Sequence, residues 1–321
     1  MESLLKISGL RTYFYTYQGV VKAVDGVSFE VNKNETVGLV GETGCGKSVT
    51  ALSIMRLIQW PPGKIVGGEI IFKGEDLALK TDREMREIRG NRISMIFQEP
   101  MTSLNPVFRV GDQIADVIVL HQKVKRKEAL KKAVQMIEAV NIPDPEKVAR
   151  QYPHELSGGM RQRIVMAIAI ACNPDLLIAD EPTTFLDVTV QAQILKLMES
   201  LRNKVKASMI LITHNLGVVA QTCNKVMVMY AGNVVESGHV GKIFENPMHP
   251  YTKGLMNAIP KLNEHKDRLE VIKGLVPNLV NPPSGCTFHP RCQHAMEICS
   301  KQKPALTEIE ENHLAGCYLY H

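Results

Sequence analysis

Eight residues near the N-terminus, GETGCGKS (41–48), set three glycines, a lysine and a serine at spacings suited to holding phosphate. Gly41, Gly44 and Gly46 let backbone N–H groups turn inward and approach phosphate oxygens closely. Lys47 offers a cation to the β- and γ-phosphates of a nucleotide, and the Ser48 hydroxyl is a ligand for Mg2+. Glu42, Thr43, Cys45 and the following Val49 complete the nucleotide-binding run, with Cys45 read as a small filler. A second stretch, DEPTT (180–184), sets two adjacent carboxylates after an apolar run. Asp180 is suited to hold Mg2+, and Glu181 to orient and deprotonate a water attacking a γ-phosphate.

These residues need elements to position them. ETVGLV (35–40) reads as a short buried strand, and VTALSIMRLI (49–58) has the apolar spacing of a helix. Strand, glycine loop, GK[ST] and helix is the context a P-loop requires, and the helix start aims its positive end at the same anion. DLLIAD (175–180) reads as a second buried strand, with its acids at the C-terminal end, where open α/β sheets bind ligands. Between the two lies ELSGGMRQRIVMAIAIAC (155–172), in which Ser157, Gly158 and Gly159 open a long helix. This is a second helix start suited to an anion. It makes chemical sense if it meets the γ-phosphate of a nucleotide held by another subunit.

Taken together, these stretches resemble the ATP-binding cassette (ABC) family. The signature LSGGQ appears as LSGGM, MIFQEP (95–100) resembles the Q-loop with Gln98, TTFLD (183–187) the D-loop with Asp187, and LITHNL (211–216) the switch strand with His214. The resemblance implies an α/β P-loop ATPase that uses ATP and Mg2+. Glu181, His214 and Gln98 are then the catalytic residues, with Gln98 also a metal contact. Ser157, Gly158, Gly159 and Asp187 serve a nucleotide across a dimer. The adenine-stacking aromatic is expected within LRTYFYTYQG (10–19), where Tyr13 is chosen over Phe14, Tyr15 and Tyr17. Met160 stands in place of the usual signature Gln and Phe185 in place of the usual D-loop Ala. Neither touches Lys47, Glu181 or His214, so ATP hydrolysis is still expected.

LSGGMRQR, QEPMTSLNP (98–106), NPMHPYT (246–252), GLMNAIP (254–260) and PPSGCTFHPRC (282–292) are similar to the D-type ATPase subunit of dipeptide and oligopeptide importers. This implies a cassette over 1–240, with a helical subdomain at about 104–153, and an extension over 241–321. It also implies a sister ATPase subunit (a heterodimer, with a homodimer as the alternative), two membrane channel subunits and, indirectly, an extracytoplasmic binding protein. ATP would close two cassettes head to tail at the cytoplasmic face of the cell membrane. Nickel importers share much of the pattern. Soluble cassette ATPases of repair or translation are a further alternative, set aside because no long coiled-coil insertion and no second cassette is seen. A third is a cluster sensor that uses the cassette as a switch.

Composition restricts partners. The 321 residues carry a net charge of +5, too mild to argue for nucleic acid or anionic lipid. KVKRKEALKK (123–132) reads as a solvated helix face. In KEALKKAVQMIEAV (127–140), Ala129, Ala133, Met136, Ile137 and Val140 form one apolar stripe, read as core. The longest apolar runs fall far short of the ~20 residues that span a bilayer. No signal peptide is visible, so a cytosolic chain with reduced thiols is expected.

Four of the seven cysteines, Cys286, Cys292, Cys299 and Cys317, crowd into a proline-punctuated tail spaced C-x5-C-x6-C-x17-C. A tail so poor in apolar residues needs a staple. No close pair of the C-x2–4-C kind typical of structural zinc is present, which favours a [4Fe–4S] cluster over Zn2+. His289, His294 and His313 are nearby ligands that would favour zinc. Four unligated thiols packed as small hydrophobes are the remaining reading.

Overall fold

Strands β1 (Ser3–Thr16) and β2 (Gly19–Asn32) form an antiparallel hairpin of alternating buried and exposed side chains. The computed structural model describes residues 2–98, 103–184, 187–258 and 272–320. The chain divides into two units, Met1–Leu79 with Leu211–His321, and Lys80–Ile210. In the first, β4 (Gly63–Phe72) and β5 (Glu75–Asp76) extend the hairpin in the order β2-β1-β4-β5.

The same unit holds β3 (Thr36–Val40), all five residues of which are buried. A continuous apolar run is what a parallel strand covered on both faces demands. It pairs parallel with β9 (Lys225–Tyr230), and β9 pairs antiparallel with β10 (Asn233–His239). Two short strands from the tail, β11 (Thr307–Glu310) and β12 (His313–Ala315), continue the sheet as β11-β12-β10-β9-β3.

A buried hydrogen bond pins the tail to β10. Glu236 and His313 side chains are both fully inaccessible, and His313 Nε2 donates to Glu236 Oε1 at 2.7 Å. The carboxylate also accepts the backbone N–H groups of Met248 (2.7 Å) and His249 (2.8 Å). Glu236→Ala would orphan three buried donors at once. It is expected to cost about 3 kcal/mol of stability, read as a lower urea midpoint. A midpoint equal to that of the parent protein would refute this role.

In the second unit, β6 (Ile93–Ile96) and β7 (Leu176–Asp180) are parallel and fully buried, and β8 (Ser208–Ile212), which begins in this unit, lies beside β7. The rest is helical. Asp82–Ile88 starts at a capping box in which Thr81 accepts the Glu84 N–H and Glu84 accepts the Thr81 N–H. Helices Val110–Gln122, Arg126–Ala139 and Pro145–Ala149 follow. Ala129, Ala133, Ile137 and Val140 are buried and Met136 is half-buried, so the stripe faces core. Two further helices, Gly158–Ile170 and Val188–Val205, carry the signature and post-acid segments.

Candidate functional site

The phosphate loop follows directly from the end of β3. Gly41 and Gly46 take positive φ of 149° and 105°. A Cβ on Gly41 would lie 2.2 Å from the Met229 carbonyl oxygen, and one on Gly46 2.3 Å from that of Ala23. Both positions therefore require glycine twice over, for the backbone angle and for the space. Gly46→Ala is expected to cost about 2 kcal/mol and to abolish nucleotide binding, checked by thermal melting and ATP titration together. Unchanged melting and binding would show that the loop tolerates the side chain.

Lys47 opens the helix Lys47–Ile54 and is only 5% exposed. Its ammonium donates to the carbonyls of Gly41 (2.8 Å) and Glu42 (3.1 Å), and so spans the loop. The Thr50 hydroxyl donates to the Gly46 carbonyl at 2.9 Å. The helix N-cap, Gly46, makes no side-chain capping bond, so the first N–H groups of the helix face the loop as donors. Cys45 is fully buried, and burial pushes its thiol pKa up. It is a filler here, not a nucleophile. The loop thus offers an anion a cation, a hydroxyl at Ser48 and backbone donors.

The acids sit in the other unit. Asp180 ends β7 and is buried. Glu181 follows in the left-handed region, with φ of 45°. A glutamate held there stores strain of the kind found at functional sites. Its Oε2 accepts from Gln98 Nε2 at 3.0 Å and from the Thr184 hydroxyl at 3.1 Å. Gln98 and Glu181, two of the expected catalytic residues, are therefore in direct contact. The rest of the Q-loop stretch, Glu99 to Thr102, and Phe185 of the D-loop stretch lie outside the described residues.

Ser157 caps the helix Gly158–Ile170 by accepting the Met160 N–H at 3.3 Å, and Ser157 and Gly158 are exposed. Asp187 caps Val188–Val205 by accepting the Val190 N–H at 2.9 Å. His214 is exposed in the turn after β8. That turn is set by the Thr213 hydroxyl accepting the Asn215 N–H (3.0 Å) and by Asn215 capping the next helix. The Tyr13 phenol donates to Asp25 Oδ1 at 2.7 Å, and burial with that carboxylate pushes its pKa up to about 12. Tyr15 packs edge-to-face on exposed Trp60.

Sequence reasoning missed two groups that the structure puts to use. Buried Gln162, inside the signature helix, donates to the Pro182 carbonyl at 2.7 Å. It ties that helix to the residue after Glu181, and its place between Arg161 and Arg163 gave no sequence signal of burial. Arg291 and Tyr251, far along the chain, both touch Glu42 of the loop.

The metal or cluster expected at Cys286, Cys292, Cys299 and Cys317 is corrected. Among the described residues no group of three or more His, Cys, Asp or Glu side chains is disposed to hold a metal ion. The four thiols do share one pocket, but it has a volume of about 10 Å3 and is lined in part by Phe288, Pro250, Pro304 and Leu319. Such a space suits a water at most. Burial raises the pKa of Cys292 and Cys317, and pushes Cys286 up to about 11, so these groups are thiols rather than thiolates. His313, weighed as a zinc ligand, is committed to Glu236. The staple that the tail needs comes from backbone bonds such as Cys286 N–H to the Cys299 carbonyl (2.8 Å), and from the contacts of Phe288 with Tyr230, Tyr251 and His249.

Residues 24–184 match the ABC transporter family, and residues 235–299 match a family described as oligopeptide/dipeptide transporter, C-terminal region. The chain is 52% identical to the probable peptide ABC transporter ATP-binding protein y4tR of Sinorhizobium fredii, over 99% of this chain and 95% of that protein. It is 50% identical to the oligopeptide transport ATP-binding protein AppD of Bacillus subtilis, over 100% and 98%. Its identity to the dipeptide transport ATP-binding protein DppD of Bacillus subtilis is also 50%, over 99% and 95%. In backbone it is similar to a dimeric ATP-binding cassette bound to ADP and Pi, with a TM-score of 0.66 at 23% identity, over 74% of this chain and 98% of that one. For cbiO1 from Clostridium perfringens the TM-score is 0.64 at 24% identity, over 77% and 92%.

Proposed function

From the premise that this chain belongs to the ABC transporter family of ATP-binding subunits, with that family's P-loop ATPase fold, we propose that it powers import of dipeptides or oligopeptides. The observation that carries the peptide reading is the match of residues 235–299 to the C-terminal region of oligopeptide/dipeptide transporters. The relatives named for peptide, oligopeptide and dipeptide transport support it along nearly their whole length. A nickel cargo and a soluble role outside transport have no comparable support.

The chemistry is ATP hydrolysis. Backbone donors of the loop 41–49, with Lys47, bind the phosphates, and Tyr13 stacks on adenine. Ser48, Gln98 and Asp180 would hold Mg2+ through their oxygens, and the ion when bound would neutralise phosphate charge. Glu181 takes a proton from the attacking water. Gln98 fixes the Glu181 carboxylate by the observed 3.0 Å bond and links that carboxylate to the membrane partner. His214 senses the γ-phosphate. The accessible Ser157–Gly158–Gly159 turn and Asp187 serve the nucleotide of a second cassette, expected to be a sister subunit.

No helix among the described residues is long and apolar enough to cross a membrane. In the proposed importer the protein acts at the cytoplasmic face through two channel subunits, with a binding protein delivering cargo from the other side, a reading supported by the match to oligopeptide/dipeptide transporters. Exposed Val107 (71%) and Phe108 (53%) support docking of a channel-subunit helix beside the Q-loop stretch. The test is reconstitution of the four-subunit complex in proteoliposomes. Uptake of labelled di- or oligopeptide that requires ATP and this chain is expected. ATP turnover that never drives peptide uptake, whatever the channel pair, would overturn the peptide assignment.

A further inference from the structure

The phosphate loop contains a carboxylate. Glu42, its second residue, puts a negative charge beside a cradle meant for an anion, and like charges at such range repel. The structure shows what offsets it. Arg291, from the HPRC stretch of the C-terminal extension, forms a bidentate pair with Glu42, with Nη1 to Oε2 at 2.7 Å and Nη2 to Oε1 at 3.0 Å. The arginine side chain is only 5% exposed. It is held from behind by the carbonyls of Lys273 (3.0 Å to Nε) and Ile272 (3.3 Å to Nη2), and its guanidinium lies 5.7 Å from the Tyr230 ring centroid. A planar fork locked on four sides suits a fixed carboxylate better than a lysine would. The backbone of Glu42 is held as well, because its N–H donates to the Tyr251 hydroxyl at 2.8 Å.

We infer that Arg291 supports nucleotide binding from the C-terminal extension by neutralising Glu42 of the phosphate loop. The extension is then a working part of the ATP site, not an appendage to it. This inference rests on the assignment of the loop 41–49 to ATP.

The test is calorimetric titration of the full chain with MgATP, with a melting curve for each variant. Arg291→Gln leaves the carboxylate uncompensated and should weaken MgATP binding about tenfold, the scale of one like-charge interaction at loop distance. Glu42→Gln removes the repelling charge and should bind at least as tightly as the parent protein. The double variant should recover most of what Arg291→Gln loses, a rescue that a merely structural arginine would not give. Parent-like affinity in Arg291→Gln would overturn the inference, and so would a double variant as weak as that single one. If Arg291→Gln does not melt cooperatively, Glu42→Gln decides alone, and a loss of about tenfold or more there sinks the charge argument. Failure of the parent protein itself to bind MgATP would instead remove the nucleotide assignment, and this inference with it.

Discussion

Glu181→Gln is expected to lower steady-state ATP hydrolysis about a thousandfold or more while leaving MgATP binding intact. The amide keeps the shape of the side chain but cannot take a proton from water. Gln98 and Thr184 both donate to Oε2, which fixes the orientation of the carboxylate. The amide keeps an acceptor oxygen for those donors, and the left-handed backbone at residue 181 is held by its surroundings rather than by the charge. With binding preserved and chemistry blocked, ATP should accumulate in closed cassette pairs, seen as a shift to the dimer in sedimentation. Phosphate release at the parent rate would remove Glu181 from its role as base.

Lys47→Ala should act one step earlier, on affinity. Its ammonium is nearly buried and sits on the carbonyls of Gly41 and Glu42, so phosphate binding exchanges neutral acceptors for charged ones. A charge-assisted bond of this kind is worth up to about 3 kcal/mol, which predicts a loss of about a hundredfold in Kd. Equilibrium titration separates the two variants, since Glu181→Gln binds without turnover and Lys47→Ala fails to bind. An unchanged Kd for Lys47→Ala would mean that the loop donors hold the phosphates by themselves.

Legibility in the sequence followed the range of the interaction. The phosphate loop was readable because its requirements are local. Glycines at 41 and 46 answer to backbone angle and to carbonyls that crowd them, and lysine and serine follow at fixed offsets. The core stripe of Ala129, Ala133 and Ile137 was readable for the same reason, as helical spacing within one element. Gln98 and Glu181 are 83 residues apart, and only resemblance to a family suggested that they act together. Arg291 and Glu42 are separated by 249 residues. Nothing in HPRC marked its arginine as a partner for the loop, because only the folded chain brings the two together. The cysteines were read as metal ligands from their spacing, their reducing compartment and a tail poor in apolar residues, none of which reports on packing. Spacing carries no information about the burial that raises the pKa of Cys286, Cys292 and Cys317, or about Phe288 and the two tyrosines that consolidate the same ground.

The two tail strands on β10 have a consequence for how the protein survives as a separate polypeptide. Without Thr307–Glu310 and His313–Ala315, the strand Asn233–His239 would become an edge with its amides and carbonyls facing water. A hydrophobic edge of that kind recruits strands from other molecules and leads to aggregation. The tail therefore shields the cassette from self-association, and trimming the chain to its ATPase portion would trade an extension for a sticky border.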